Sequence, residues 1–188
     1  MATVRAGSKK VLVVVDVQVG VMSGAWNAPE VIANVARSVE SARAHGVPVI
    51  WVQHSSDEEL VPESAEWQWV PELVPGAGEL AVHKTHNSAF EDTDLEQMLS
   101  ELGATHIVLA GAATNWCIRA TAYGALDRGY DLTLVEDAHS TETLDLGGGA
   151  KIEAEQVIRD LNVVMTWLTY PGRKTTTAKS GELAWAEA

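Results

Sequence analysis

The chain of 188 residues contains a single cysteine, Cys117, so it cannot form an internal disulfide. This excludes a disulfide-stapled secreted module and predicts a reducing compartment, the cytoplasm. Basic side chains are also scarce: 13 Lys and Arg stand against 26 Asp and Glu, a formal net charge of −13. Such a chain has little charge with which to neutralise phosphates, so we expect neither nucleic-acid binding nor docking on anionic membranes. The apolar run 11–15 is only five residues long, too short for a transmembrane helix or a signal peptide.

What the chain does have is ordinary globular composition, with 46% apolar and 21% charged residues. Short β-branched runs alternate with helical patterns, which predicts a three-layer αβα, doubly wound sheet of about six mostly parallel strands, a Rossmann-like α/β fold. The expected strands are 11–15, 47–52, 79–83, 105–110, 130–135 and 163–168, and the expected helices are 29–44, 93–102, 114–128 and 150–161.

We expect one catalytic domain, 1–170, followed by a polar tail, 171–188, that is loose or docked on a partner subunit. The segment 53–80 is predicted to be a long loop, of the kind that is usually functional or mobile. It carries six acidic residues and no Lys or Arg between Gln53 and Glu72.

Three side chains with catalytic potential follow predicted strands, where an open α/β sheet binds its ligands. Asp16 ends the first strand, and its burial would raise its pKa and suit proton transfer, although it could equally cap the next element. Lys84 ends the third strand and could stabilise nearby anions or simply be solvated. Cys117 opens the helix after the fourth strand, where the helix dipole would lower its pKa and favour a nucleophilic thiolate. A free cysteine is otherwise most often core packing.

Histidines near the second and third strand ends raise the question of a metal. His54, His83, His86 and Asp57 lack the spacing of a zinc site, so we interpret the histidines as hydrogen-bonded or surface side chains, with no metal and no cofactor. Tryptophans in loops or beside the cysteine could line an apolar pocket or an oligomer contact; these are Trp26, Trp67, Trp69 and Trp116.

Several ordered motifs together carry a family resemblance. They are Val14-Val15-Asp16-Val17-Gln18, His83-Lys84 followed by Ser88-Ala89-Phe90, Gly111-Ala112-Ala113-Thr114-Asn115-Trp116-Cys117-Ile118, Gly129-Tyr130 and Val135-Glu136-Asp137-Ala138. With these motifs the chain resembles the isochorismatase-like cysteine hydrolase superfamily over roughly residues 10–168. That superfamily includes nicotinamidases, N-carbamoylsarcosine amidases and streptothricin hydrolases.

The resemblance implies a catalytic triad of Asp16, Lys84 and Cys117, and an oxyanion hole formed by the backbone N–H groups of Ala113 and Cys117. It also implies a cis peptide bond at Ala112–Ala113 or Ala113–Thr114. The side chains expected to bind substrate are Gln18, Trp26, Phe90, Asn115 and Trp116.

The sequence differs from two groups within this superfamily, and each difference narrows the range of expected reactions. Isochorismatases themselves lack the cysteine, so Cys117 favours C–N cleavage over vinyl-ether hydrolysis. The segment 53–58 lacks the Asp-x-His pattern with which nicotinamidases bind a metal. We therefore expect a hydrolase that cleaves an amide, carbamoyl or lactam-like bond of a small molecule through a thioester. The acidic loop could favour a cationic substrate or simply be solvated.

The alternative is a catalytically silent or differently specialised protein that uses the same fold for binding or assembly. By the same resemblance, the expected assembly is a homo-oligomer, a dimer or a tetramer.

Overall fold

The computed structural model describes Ala2 and residues 4–185. Its strands are β1 (Lys9–Val15), β2 (Val49–His54), β3 (Leu80–Lys84), β4 (Ala104–Ala112), β5 (Asp131–Ser140), β6 (Leu144–Gly147), β7 (Ala150–Ile152) and β8 (Thr175–Ala178). Its helices are α1 (Val19–Met22), α2 (Ala28–Ala44), α3 (Leu95–Glu101), α4 (Arg119–Asp127) and α5 (Ala154–Trp167). A π-helical turn, Thr114–Ile118, leads directly into α4.

Six of the strands form one sheet in the order β3-β2-β1-β4-β5-β8, and every pair in it is parallel. The central strand β1 is buried on both faces, as its continuous apolar run predicts. Val11, Val13 and Val15 face a core shared with α3, α4 and α5, whereas Leu12 and Val14 face a core shared with α2. The predicted three-layer αβα architecture is therefore confirmed.

The last predicted strand is wrong. Residues 163–168 lie largely in α5, whose buried residues Val157, Ile158, Leu161 and Met165 keep helical spacing through this segment. The predicted helix 150–161 begins at Ala154, because 144–152 form the separate β6–β7 hairpin.

The sixth strand lies in 171–188, the segment expected to be a tail that is loose or docked on a partner subunit. β8 pairs in parallel with β5, and Thr133 and Thr176 join their hydroxyls across the pair at 2.9 Å. Beyond it, the indole of Trp185 is buried and donates to Ser41 on α2. The domain thus extends through the described part of the tail; residues 186–188 lie outside the described residues.

The long acidic segment between β2 and β3 is a loop, as predicted. Apart from one isolated bridge between Gln18 and Trp69, it pairs with no strand in the described part of the chain. It lies against the end of β1 and the start of α1, where Val19 and Gly20 donate backbone hydrogen bonds to it. Within the described residues, no helix is both long and apolar enough to cross a membrane.

Candidate active site

The three candidate catalytic side chains come together at the carboxyl edge of the sheet. Asp16 directly follows β1, Lys84 is the last residue of β3, and Cys117 lies in the π-helical turn after β4. All three are buried, with exposed fractions of 1%, 2% and 8%. The structure therefore brings these residues, which are far apart in sequence, into one crevice. This is the place predicted from the general position of sites in open α/β sheets.

A glycine allows the two central strands to approach each other at this edge. Gly111 has φ +127°, and a Cβ on it would lie 2.0 Å from the carbonyl oxygen of Val15. Any side chain here would push β4 away from β1. Gly111 therefore sets the distance between the strand that precedes Asp16 and the strand that leads to Cys117.

The backbone changes direction sharply between β4 and the cysteine. The Ala112–Ala113 peptide bond is cis, one of the two positions implied by the resemblance. Trp116 and Ile118 then donate their N–H groups to the carbonyl oxygen of Ala113. The predicted helix from 114 is present, but its first five residues form a π-helical turn.

Lys84 is the centre of the site. Its ammonium nitrogen lies 2.7 Å from Asp16 Oδ2, 3.0 Å from His54 Nδ1, 3.2 Å from Cys117 Sγ and 3.2 Å from the carbonyl oxygen of His86. The cation is therefore held inside the protein by an ion pair with Asp16 and by contacts with three further acceptors. The solvated lysine that the sequence left open is thereby excluded.

The buried environment changes the acidity of the pair that Lys84 bridges. Burial raises the pKa of Asp16, and the Lys84 charge opposes this only in part. Burial, together with the nearby Asp16 charge, raises the pKa of Cys117 to about 12. The expected lowering of the thiol pKa at a helix start is therefore wrong: desolvation outweighs the dipole, and the resting cysteine is a thiol.

Asp16, His54 and Cys117 present ligand-type atoms within 4.8 Å of one another, as a metal site would. However, the Lys84 ammonium lies within 3.2 Å of one atom of each. A second cation placed among these atoms would meet strong repulsion, so the donor set suits the lysine rather than a metal ion. Of the other candidate ligands, His83 stacks on Trp67, and Asp57 is exposed.

The side chains expected to bind substrate have different surroundings. Trp116 and Trp26 are 48% and 43% exposed, and Asn115 is partly exposed. Gln18 is fully buried, and its amide is used by the backbone of His54 and by the carbonyl oxygen of Trp67. Phe90 is in the core.

The contacts of Phe90 indicate a packing role. Its ring stacks on Tyr130 at 6.2 Å between centroids, and the guanidinium of Arg128 covers it.

A cleft of about 610 Å³ adjoins the π-helical turn that contains Cys117. One wall is formed by Ala113 and Trp116, and the others come from α1, the acidic loop and the chain after β5. Its size is typical of small-molecule sites. Within the described residues, the lining includes three carboxylates and no basic side chain; it consists of Gly20, Val21, Ser23, Gly24, Glu59, Leu60, Glu66, Ala113, Trp116 and Glu142.

Sequence reasoning missed a buried chain of hydrogen bonds that begins at Thr114 in the π-helical turn. Thr114 Oγ1 lies 2.9 Å from His139 Nδ1, His139 Nε2 lies 2.9 Å from Asn162 Oδ1, and Asn162 donates to the carbonyl oxygen of Glu136. His139 pairs in register with Gly111 across β4 and β5. Only the burial of β5 could have drawn attention to this histidine, because its partners are 23 and 25 residues away in the chain.

Comparisons with known proteins agree with this geometry. Residues 10–167 match the isochorismatase domain model. A streptothricin hydrolase from Streptomyces noursei is 34% identical over 144 residues, which are 73% of this chain and 57% of that protein. A second one from the same organism is 34% identical and is covered to 49%. The chain thus spans about half the length of these curated relatives.

Solved structures give the same assignment. An isochorismatase from Pseudomonas putida KT2440 superposes with a TM-score of 0.83 at 30% identity, covering 93% of this chain and 91% of that one. An N-carbamoylsarcosine amidase from Thermoplasma acidophilum superposes with a TM-score of 0.72 at 25% identity, covering 94% and 99%. Given a domain match that spans most of the chain and a shared fold, the chain belongs to the isochorismatase family of hydrolases.

Proposed function

We propose that this chain is a cysteine-dependent hydrolase that cleaves a C–N bond, of the amide, carbamoyl or lactam-like type, in a small molecule. One observation carries the proposal: the buried Lys84 ammonium lies within hydrogen-bond distance of both the Asp16 carboxylate and the Cys117 thiol. A base, a nucleophile and a cation thus share one water-poor site. The names of the streptothricin hydrolase and N-carbamoylsarcosine amidase relatives support the choice of bond.

In the first half-reaction, Asp16 accepts the thiol proton as the sulfur attacks the substrate carbonyl carbon. The raised pKa of Asp16 makes its carboxylate a stronger base than an ordinary one, which suits a thiol whose own pKa is raised. Lys84 stabilises the thiolate charge, and the backbone N–H groups of Ala113 and Cys117 hold the oxyanion. The C–N bond breaks, the amine leaves with the proton from Asp16, and a thioester remains.

In the second half-reaction, water replaces the amine. Asp16, again a carboxylate, removes a proton from the water as its oxygen attacks the thioester carbonyl. The C–S bond breaks, Cys117 recovers its proton from Asp16, and the carboxylic or carbamic acid leaves. One water is consumed, and no redox partner is needed.

The test is a product screen combined with two variants. The purified chain is incubated with amides, ureido acids and carbamates while ammonia release is measured, and with lactams while hydrolysis is followed by mass spectrometry. We expect turnover of at least one class, loss of turnover in Cys117→Ala and in Asp16→Asn, and unchanged circular dichroism in both. Acid quenching during turnover should trap the acyl group on Cys117.

Normal activity in either variant would refute the mechanism. A blank across the whole screen would instead favour the alternative, a non-catalytic binding or assembly protein on this fold.

We further propose that the substrate carries a positive charge at a distance from the scissile bond. The cleft beside the π-helical turn that contains Cys117 is lined by Glu59, Glu66 and Glu142, together with the exposed ring of Trp116. Carboxylates attract a cation over several ångströms, and an indole face binds a cation directly with about 0.5–1 kcal/mol at an exposed site. In the part of the chain that the structure describes, no basic side chain lines the cleft to oppose this attraction.

Matched substrates with and without an amino group test the charge preference. We expect a lower KM for the cationic member, and a rise of about tenfold in that KM when Glu59, Glu66 and Glu142 are all changed to Gln. The control removes the same number of charges with Glu58→Gln, Glu63→Gln and Glu72→Gln, since these residues belong to the acidic loop but do not line the cleft. An equal effect in both variants would mean that only the net charge matters.

A further inference from the structure

The buried ammonium of Lys84 has more acceptors than protons. Four atoms surround it within 3.2 Å: Asp16 Oδ2, His54 Nδ1, Cys117 Sγ and the carbonyl oxygen of His86. A lysine ammonium has three N–H groups and no lone pair. At any moment, therefore, one of the four acceptors receives no hydrogen bond from Lys84. The positions of the two acceptors that do not react, His54 and the His86 carbonyl, decide whether Asp16 or Cys117 receives the remaining hydrogen bond.

His54 is an acceptor whose position is fixed by the backbone around it. It is the register partner of Lys84 across the parallel pair β2–β3, so both side chains project from the same face of the sheet. Its backbone is held on both sides by the buried amide of Gln18, which accepts from His54 N at 2.9 Å and donates to His54 O at 3.0 Å. The position of the ring is thus determined by β2 and by Gln18 together.

The contact with an ammonium also determines the protonation of the ring. Because Lys84 can only donate, Nδ1 of His54 must carry a lone pair, and the neutral ring then holds its proton on Nε2. Burial and the charges of Lys84 and His86 lower the pKa of His54 to about 4, which keeps the ring neutral at physiological pH. The other reactive groups around it, Asp16 and Cys117, lie within 4.8 Å.

We propose that His54 is a positioning residue, a neutral acceptor that holds the Lys84 ammonium between Asp16 and Cys117. This inference rests on the proposed cysteine hydrolase function. His54 and the His86 carbonyl occupy two of the three N–H groups throughout the cycle, and the third passes between the reacting pair. It serves the Asp16 carboxylate in the resting state and the Cys117 thiolate once Asp16 has taken the proton.

Removing the acceptor should weaken this support for the thiolate. In His54→Leu, no side-chain acceptor on β2 opposes the pull of the Asp16 carboxylate, so the ammonium can move towards Asp16 and away from Cys117. Less positive charge then remains beside the sulfur, and the thiolate becomes harder to form. We expect His54→Asn, whose side-chain oxygen can replace Nδ1 as an acceptor, to restore most of the effect.

Alkylation by iodoacetamide measures this without a substrate. The chain has one cysteine, so the mass gain of the whole protein reports on Cys117 alone. Between pH 6 and 10 we expect His54→Leu to react about tenfold more slowly than the unchanged protein, with its rate profile shifted to higher pH. His54→Asn should stay within about twofold, as should the control His45→Leu, an exposed histidine at the end of α2.

The proposal is overturned if His54→Leu reacts like the unchanged protein, or if His54→Asn is as slow as His54→Leu. These outcomes are separate from the fate of the proposed function. A blank substrate screen with a shifted alkylation profile refutes the hydrolase and keeps the positioning role, whereas turnover with an unshifted profile does the reverse.

A second measurement does not depend on the His54→Leu variant. In protein labelled with ¹⁵N-histidine, the ring nitrogen chemical shifts measured by NMR should show that His54 is the Nε2–H tautomer at pH 7. The chemical shift of Nδ1 should also show that this nitrogen accepts a hydrogen bond. The resonance is assigned by its loss in His54→Asn. An Nδ1–H tautomer or a doubly protonated ring at pH 7 would contradict the proposal directly.

Discussion

The buried histidine His139 should make the stability of this protein depend on pH in a defined direction. The side chain is 1% exposed and hydrogen-bonded to Thr114 and Asn162, and burial lowers its pKa from 6.5 to about 4. The Asn162 amide donates to Glu136, so its oxygen faces His139 and requires the Nε2–H tautomer. A second proton would fall on Nδ1, which now accepts from the Thr114 hydroxyl.

The magnitude follows from proton linkage. Above pH 7 this histidine is neutral in both the folded and the unfolded chain and contributes no pH dependence. Below pH 6.5 the unfolded chain binds a proton that the folded chain binds only below about pH 4, so acid favours unfolding. Between pH 7.5 and pH 5 this amounts to a loss of about 2 kcal/mol in the free energy of unfolding, rising to about 3 kcal/mol below pH 4.

Urea unfolding at pH 7.5, 6 and 5 measures this loss in the unchanged protein and in His139→Gln. The variant has no imidazole at this site, so we expect it to lose about 2 kcal/mol less over the same range, whatever its stability at pH 7.5. Leu99→Ala, a cavity variant in the core, serves as a control of lowered stability that retains His139 and should keep the full slope. Parallel curves for the unchanged protein and His139→Gln would refute the reasoning.

Three further predictions concern other parts of the molecule. Gly111→Ala should lower the free energy of unfolding by more than about 3 kcal/mol in a denaturant titration, because its Cβ would lie 2.0 Å from Val15 O; a loss below 1 kcal/mol would contradict the close approach. Lys84→Met should destabilise by about 3–5 kcal/mol at pH 8 and by less at pH 5, where the unpaired Asp16 can bind a proton; an equal loss at both pH values would argue against the buried pair. We also propose that the chain is a homo-oligomer, because Trp167 and Val163 are exposed one turn apart on α5. Trp167→Glu should then reduce the mass measured by light scattering, and a monomeric unchanged protein would refute the proposal.

The arrangement of the candidate site was predictable because it depends on strand ends. The apolar runs that lead into Asp16 and Lys84 mark where parallel strands stop, and parallel strands stop at the same edge. The position of Cys117 after β4 follows from the same rule. Three local patterns were therefore enough to bring together residues separated by about a hundred positions.

The order of the last two elements was not predictable in the same way. The β-branched residues Val163 and Val164 resemble a strand, yet they lie in α5, whose buried residues Leu161 and Met165 already face the core. β8 consists of three threonines and an alanine, with no apolar run to mark it. Its place in the sheet depends on pairing with the edge of β5 that β4 does not occupy. Such pairing is a tertiary effect that a single local pattern does not contain.

The acidity of Cys117 shows where local reasoning about chemistry reaches its limit. A helix start contributes about half a positive charge, and this favours a thiolate. Yet Cys117 is also buried beside the Asp16 carboxylate, and both conditions favour the neutral thiol more strongly. Because the two groups interact through Lys84, their protons belong to the pair rather than to either residue. The site is therefore best understood as one proton shared between a sulfur and a carboxylate under the control of a single cation. In the proposed mechanism, activation of the thiol depends less on the start of the helix than on the residues that orient Lys84. We therefore propose that the acceptor at His54 and the strand spacing set by Gly111 both affect the reaction.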